Sequence, residues 1–436
     1  MIKNKKQLST SSLRKDAVAI IDAGYEAIHI EKLIKRRMKL RGRALFVEHL
    51  GDRQSISLPQ FKRVALVGFG KGAYTAISTM ADILGRSVSL ALALDVKNFC
   101  RPSRPNKKVR VFFGTHPKPS HGNVRATQEI VRMLETLEEE DLVIFYVGGG
   151  GSSLLCGSGD EMDASSKVFD VLTSKGVNIA DMNVVRKHLS SVKGGWLSYF
   201  AYPATVLSLI VSDVCGNDFS TIASGPTVHD PTTIADAKKI LKTHNVSSRG
   251  VMFVETPKDR RYFKNTTNVL FACNQDALGA MMAKSRSLGY RTRLVSLAYE
   301  GDAHTMFAPL LKKIKKGEAL LLGGETTVHL SKKHGRGGRN QEAVLAAVAS
   351  AYEGNSDLSH SLVASVGSDG YDNTPVAGAL ADAQTMRALI GANIDPIQYL
   401  SSNDSYAFFK KVGGHIEAYP HSFNVSDLMV VMREKE

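Results

Sequence analysis

Twice in this chain an unbroken apolar run stops on a cluster of glycines: RVALVGFGKGA at 63–73 and LVIFYVGGGGSSLL at 142–155. A run apolar at every position, with no alternation, reads as a strand covered on both faces, which is the condition of a parallel sheet between helix layers. Glycine at its end lets the chain turn sharply into a helix, with backbone N–H groups pointing into the turn. Few folds other than parallel α/β layers use that device repeatedly.

The same rhythm extends along the chain. The segment AYTAISTMADIL reads as an amphipathic helix leaving the first turn, and SVSLALALDV and KVRVFFGTHPKP as further strands. ATQEIVRMLETLEEED reads as a helix and ATVLSLIVSDVCGND as a buried strand ending in polar residues. A first helix is expected from about Leu13 to Leu40, with a break near Gly24. The polar stretch SSRGVMFVETPKDRRYFKNTT reads as a linker, after which NVLFACNQDALG, RTRLVSLA, ALLLGGETTVHL, NQEAVLAAVASAYEG and HSLVASVGSDG restore the strand–helix alternation. A chain of 436 residues suits two such domains, cut near residue 250 into 1–250 and 251–436.

Composition narrows the function. No apolar run reaches the ~20 residues of a membrane helix, and Asp213 interrupts the longest candidate, YPATVLSLIVSDVCG. The basic, hydroxyl-rich start MIKNKKQLSTSSLRKD reads as a solvated tail, not a transit peptide, so the cytoplasm is the expected compartment. Cys100, Cys156, Cys215 and Cys273 form no CxxC pair, which argues for buried thiols over a disulfide framework or zinc site. A net charge of +14 invites nucleic acid as a partner. The excess gathers in KNKK, LRKD and KLIKRRMKLRGR, read as an exposed helix face without a nucleic-acid module, so handling of small anions explains it as well.

The first turn, GFGKGA, fits GxGxxA, and Asp95 ends the next strand where a dinucleotide fold places its ribose acid. Lys71 inside the turn points instead to a site that neutralises an anion. The second turn, Gly148, Gly149, Gly150, Gly151, Ser152 and Ser153, offers inward amides and two hydroxyls for phosphate oxygens, or a strand–helix joint with a serine cap.

Polar clusters recur after the strands, where open α/β sheets bind ligands. DMNVVRKHLSSVKGG sets Arg186 and Lys193 two helical turns apart with Asn183 nearby; a solvated helix face is the plainer reading, and His188 is read as structural. Asp213 follows a buried strand and suits Mg²⁺ or a turn cap. GGETTVHLSKKHGRGGRNQE presents Glu325, Arg339 and Asn340 before a helix, Arg339 supplying a fork for carboxylate or phosphate. VGSDGYDNTP adds Asp369 and Asp372, without the spacing or glutamate of an EF-hand.

In order along the chain, GKGA, GGGGSSLL, MNVVRKHLSSVKGG, SDVCGNDFSTIASGPTVHDPTT, GGETTV, GGRNQE, SDGYDNTP and NDSYAFF resemble the glycerate 2-kinase family, whose members contain a MOFRL region. The resemblance implies a Rossmann-like N-terminal domain and a MOFRL-type C-terminal domain (region about 318–430), each a largely parallel sheet flanked by helices, with the active site in the interdomain cleft. It implies Mg²⁺-assisted, ATP-dependent phosphorylation of D-glycerate to 2-phospho-D-glycerate by a monomer or homodimer. On that reading Lys71, Arg339 and Asp213 are catalytic and Asn183, Arg186, Lys193, Glu325 and Asn340 bind substrate. The turn Gly148–Ser153 holds the nucleotide, and Asp213 and Asp369 hold the metal. Departures fall at SDGYDNTP and at AYPHSFNVSD, which keeps Asn424, Val425 and Asp427. An NAD(P)H-dependent hydroxypyruvate reductase is the alternative, and a basic nucleic-acid-binding protein the third reading.

Overall fold

The computed structural model describes residues 1–49, 52–97 and 99–435, and for Cys215 the backbone alone. The chain forms two compact units, Ile30–Ala272 and a second made of Met1–His29 with Cys273–Glu436.

The Ile30–Ala272 unit opens with a helix, Ile30–Arg37, and a three-stranded antiparallel sheet of β1 (Met38–Arg41), β2 (Ala44–His49) and β3 (Asp52–Ser57). The basic stretch read as one exposed helix therefore changes to strand at Met38, because Met38, Leu45 and Val47 pack on one face of a meander. A six-stranded sheet follows: β4 (Arg63–Phe69), β5 (Val88–Val96), β6 (Arg110–Gly114), β7 (Asp141–Val147), β8 (Thr205–Val211) and β9 (Thr266–Ala272). Its order is β6-β5-β4-β7-β8-β9 and every pairing is parallel. β7 is buried at all seven positions, as a strand covered on both faces must be. The chain builds outward from β4 through β5 to β6, then returns to the other side of β4 with β7. The two glycine turns leave these neighbouring strands at the one place where the winding reverses, the topological switch point. Hydroxyl and amide caps start the flanking helices: Ser158 accepts from the Glu161 amide, Asn178 from Asp181 and Thr233 from Asp236.

The second unit contains β10 (Arg291–Asp302), β11 (Glu318–Thr327), β12 (Ser361–Gly367), β13 (Gly378–Ala381), β14 (His415–Ile416) and β15 (Asp427–Arg433), in the order β10-β11-β15-β12-β13-β14. Here the expectation of a largely parallel sheet is corrected: only β10 and β11 run parallel. The late strand β15, buried over its first six positions and apolar from the second to the sixth, inserts between β11 and β12 antiparallel to both. The short connection from β12 to β13 carries no crossover helix, so that pair is antiparallel too.

The start of the chain is docked, not a solvated tail. Ile2 is buried and bridges to Ala418. The helix Ser12–Ala27 ends earlier than expected, and Gly24 lies inside it, where a Cβ would come 2.9 Å from the Met281 side chain of the helix Asn274–Ser287. Arg14 forks onto Asp382, Nε to Oδ2 at 2.8 Å and Nη2 to Oδ1 at 2.7 Å, with both side chains buried. Asp382 also caps its own helix through the Gln384 and Thr385 amides. The sequence cut near residue 250 differs from the division at Ala272/Cys273, because β9 pairs with β8 inside the first unit.

Replacing Asp382 by Ala removes a cap and leaves a buried guanidinium uncompensated. Urea unfolding is expected to show a loss of roughly 3–5 kcal/mol; a loss below ~1 kcal/mol would be that of a surface pair.

Candidate active site

At the switch point the two glycine turns hold each other. The Gly148 amide donates to the Phe69 carbonyl and the Lys71 amide to the Gly149 carbonyl, both at 2.9 Å. The Tyr146 hydroxyl donates to the Lys71 carbonyl at 2.8 Å. Lys71 is thus fixed at both its N–H and its C=O. Its half-buried side chain places Nζ 5.9 Å from the centre of the Phe99 ring. No Cβ fits between the turns at Gly70, where it would sit 2.5 Å from the Gly148 oxygen.

The turns differ in what they leave for a ligand. In the first, Gly70 donates to Leu94, Lys71 to Gly149 and Ala73 to Gly70, while the Gly72 and Tyr74 amides go to Asp95 at 3.0 and 2.9 Å. Every amide from Gly70 to Tyr74 is committed. Asp95 is fully buried and also accepts from Val96. Burial outweighs these three amides and pushes its pKa up to about 7. A carboxylate so placed holds a helix start and has no face for a ribose.

In the second turn the amides of Gly149, Gly150 and Ser152 take no acceptor among the described residues. Gly150 has φ +76°, and a Cβ there would meet the His116 ring at 2.8 Å. Three open N–H groups in four residues make a cradle for an anion. Ser152 Oγ lies 2.9 Å from Ser224 Oγ, which donates to Asn183 Oδ1 at 3.0 Å. Arg186 Nη1 donates to the same oxygen at 3.3 Å. The Arg186 guanidinium lies over the Phe169 ring, 4.4 Å from its centre, and has no carboxylate partner among the described residues. Burial alone lowers its pKa to about 10. Ser153 Oγ turns back to the Gly150 carbonyl. Ala223 and Ser224 hold φ of +50° and +61°, and the Gly194 and Gly195 amides clamp this strained loop through the carbonyls of Ser224 and Gly225.

Lys193 stands apart from this group. It is buried, and its ammonium donates to Leu155 O, Ser190 Oγ and the buried Glu161 carboxylate. All three of its protons are used in fastening the chain beyond the glycine turn, so it offers none to a substrate. His188 is buried between Val254 O and Thr232 Oγ1, consistent with a structural role. Asp213 follows β8 and is half-buried, close enough to Tyr146 to raise that hydroxyl's pKa after burial, Asp95 and Cys100.

In the second unit Arg339 begins the helix Arg339–Tyr352. Nε donates to Asp427 Oδ2 at 2.5 Å, Nη2 to Asp427 Oδ1 at 3.1 Å, and Nη1 to Glu325. Burial pulls its pKa down, and Asp427 and Glu325 more than offset it, so the guanidinium stays charged. Three of its five N–H groups are used and two remain. Asn340 is fully engaged: Nδ2 donates to Asp372 and Asp427 and Oδ1 accepts from Ser365. It positions Asp427 beside Arg339 and, buried itself, has no proton left for substrate. Asp372 receives the Asn340 and Gln341 amides, and burial pushes its pKa up to about 6. Asp369 accepts from the Tyr371 amide; burial first, then the charges of Asp369, Asp427 and Asp372, raise the pKa of the Tyr25 hydroxyl, which donates to the Gly367 carbonyl.

Comparisons with known proteins place the chain in a family. Residues 16–253 match the family model described as a domain of unknown function, DUF4147, and residues 318–427 match the MOFRL family. A D-glycerate 2-kinase of Thermotoga maritima is 31% identical over 96% of this chain and 98% of its own. The crystal structure of glycerate kinase from that organism superposes with a TM-score of 0.81 at 29% identity, covering 97% of this chain and 99% of the other. A relative from Agrobacterium vitis named putative hydroxypyruvate reductase is 35% identical over 85% of this chain and 87% of its own. The chain belongs to the glycerate 2-kinase family. Membership makes it a kinase.

For a glycerate 2-kinase family member, sequence reasoning missed three kinds of residue. Ser224 lay in the quoted SGPT segment, but its positive φ is invisible without coordinates. Asp427 was legible only as a retained acid, its partnership with Arg339 88 positions away being a tertiary fact. Asp95 was legible as an acid at a strand end, where cap and ribose ligand look alike.

Asp95 yields a pH prediction. Unfolded, its carboxyl titrates near ~3.9; folded, at about 7. The native state holds this proton more tightly, so the associated stability is complete below ~4 and is lost as pH rises to about 7. Asp95→Asn does not titrate. Its urea midpoint is expected to rise relative to the parent's between pH 4 and 7, and a constant difference would mean an ordinary carboxyl.

Proposed function

We propose that this chain transfers the γ-phosphoryl group of ATP to the 2-hydroxyl of D-glycerate, giving 2-phospho-D-glycerate, with Mg²⁺ assisting. The observation that carries the reading is the contrast between the two turns: the GFGKGA turn has no amide left for a pyrophosphate, while Gly149, Gly150 and Ser152 present three. That contrast also speaks against the nicotinamide-dependent alternative, whose ribose acid Asp95 is committed elsewhere.

Phosphoryl transfer requires positioning and charge stabilisation more than covalent chemistry. In our reading the open amides hold nucleotide phosphates. Lys71, its backbone anchored on both sides, brings an ammonium to the transferred group. Arg186, a half-buried cation lacking a carboxylate among the described residues, binds an anionic group of the acceptor. The two remaining N–H groups of Arg339 serve the phosphoryl group or the acceptor carboxylate, with Glu325 and Asp427 fixing its plane.

Mg²⁺ asks for one or two hard carboxylate oxygens beside phosphate. Asp213, after β8 and near Tyr146, fits that demand, as does Asp369 in its acidic surroundings. When bound, the metal neutralises charge on the phosphate oxygens. Asp213 is assigned the proton of the attacking hydroxyl where Asp369 serves the metal. The acceptor is a small molecule and nucleic acid has no part, so filter binding is expected to find no salt-sensitive RNA affinity. The working form is a cytoplasmic monomer or homodimer.

A coupled assay with ATP, Mg²⁺ and D-glycerate is expected to show turnover, abolished by EDTA, with ³¹P NMR placing the phosphate on the 2-oxygen. No turnover with D-glycerate or any other small hydroxyacid would remove the kinase substrate assignment. Lys71→Ala and Arg339→Ala are each expected to lower kcat/KM by at least ~100-fold. Losses of tenfold or less in both would place the chemistry elsewhere.

A further inference from the structure

Ser224 has no role assigned above, yet its hydroxyl joins two residues that have. It is completely buried, holds a left-handed backbone, and lies between Ser152 of the glycine turn and Asn183 of the helix Ile179–His188. Its connections fix the direction of every proton in the chain. Arg186 is donor-only, so the Asn183 atom facing it is the oxygen. Ser224 therefore gives its single proton to Asn183 Oδ1. Having none left, it accepts from Ser152. The Ser152 proton is thereby turned toward Ser224 and away from a ligand, while its lone pairs stay available to accept. The amides, not this hydroxyl, are left to meet an anion, and Arg186 is held by an oxygen that does not neutralise it.

We infer that Ser224 is a positioning residue for the proposed reaction: it orients Arg186 through Asn183 and fixes Ser152 as an acceptor, so that the hydroxyacid is bound by an already aligned guanidinium. The inference rests on the functional reading of Arg186 above. It also explains why a serine occupies a conformation that glycine adopts freely and other residues rarely hold. The hydroxyl is needed there.

The test separates hydroxyl from backbone strain. Ser224→Gly removes the hydroxyl and relieves the left-handed φ, whereas Ser224→Ala removes the hydroxyl alone. Both are expected to raise KM for D-glycerate ~10-fold or more while KM for ATP moves less than ~3-fold, as loss of a hydrogen bond organising a charged group would do. The urea midpoint of Ser224→Gly should equal or exceed that of Ser224→Ala. A readout independent of turnover is labelling of Arg186 by 4-hydroxyphenylglyoxal, followed by mass spectrometry, expected to quicken at least ~3-fold in Ser224→Gly as the guanidinium loses its anchor. Parental KM values and parental labelling in both variants would overturn the inference. Faster labelling in an enzyme whose parent does not phosphorylate D-glycerate would uphold the positioning role and reject the substrate assignment.

Discussion

The Ile30–Ala272 unit depends on one mutual grip. The ends of β4 and β7, adjacent in the sheet but far apart in the chain, are laced by two backbone hydrogen bonds and one from a tyrosine hydroxyl. The lacing requires glycine, because a side chain at Gly70 would strike the Gly148 carbonyl. It fixes Lys71 in place by one amide of the first turn; Leu94, Gly70 and Asp95 take the others, so the open amides lie in the second turn. The four glycines thus do more than loosen a joint: they bring two backbones into contact and leave N–H groups open on the far side.

Buried acids organise the rest. Asp95 and Asp372 each take the first amides of a helix, at Ala73–Leu84 and Arg339–Tyr352, and each carries a raised pKa because burial opposes its charge. Asp427 holds Arg339 from below. Glu161 holds Lys193. These pairs fix cations and helix starts in place, at an electrostatic cost of the kind tolerated where position matters more than stability.

Much of this was legible in the residue order. Apolar runs ending in glycine marked β4 and β7, and the segment AYTAISTMADIL coincides with its helix. The rhythm led to the expectation of ligands beyond the carboxyl ends of the strands, whereas the switch point needed the strand order. What was not legible came from long-range pairing. β15 is an ordinary apolar run whose place in mid-sheet is decided by β11 and β12, so continuing the strand–helix alternation gave the wrong direction for that sheet. Residue type alone did not distinguish Arg186, which has no acid partner among the described residues, from Lys193, seven positions on and fully paired. Both are basic residues near one helix, and only burial and partners tell them apart.

The discontinuous unit has a consequence for biosynthesis. The helix Ser12–Ala27 is made before the Ile30–Ala272 unit, but the partner of its Arg14 lies 368 positions downstream. The intervening Ile30–Ala272 unit is contiguous and can condense during elongation. The early helix, with Leu13, Ile20 and Ile21 destined for a core, must wait as an exposed amphipathic segment until the last strands emerge. The apolar face of this helix therefore stays uncovered until the segments that bury it have been made.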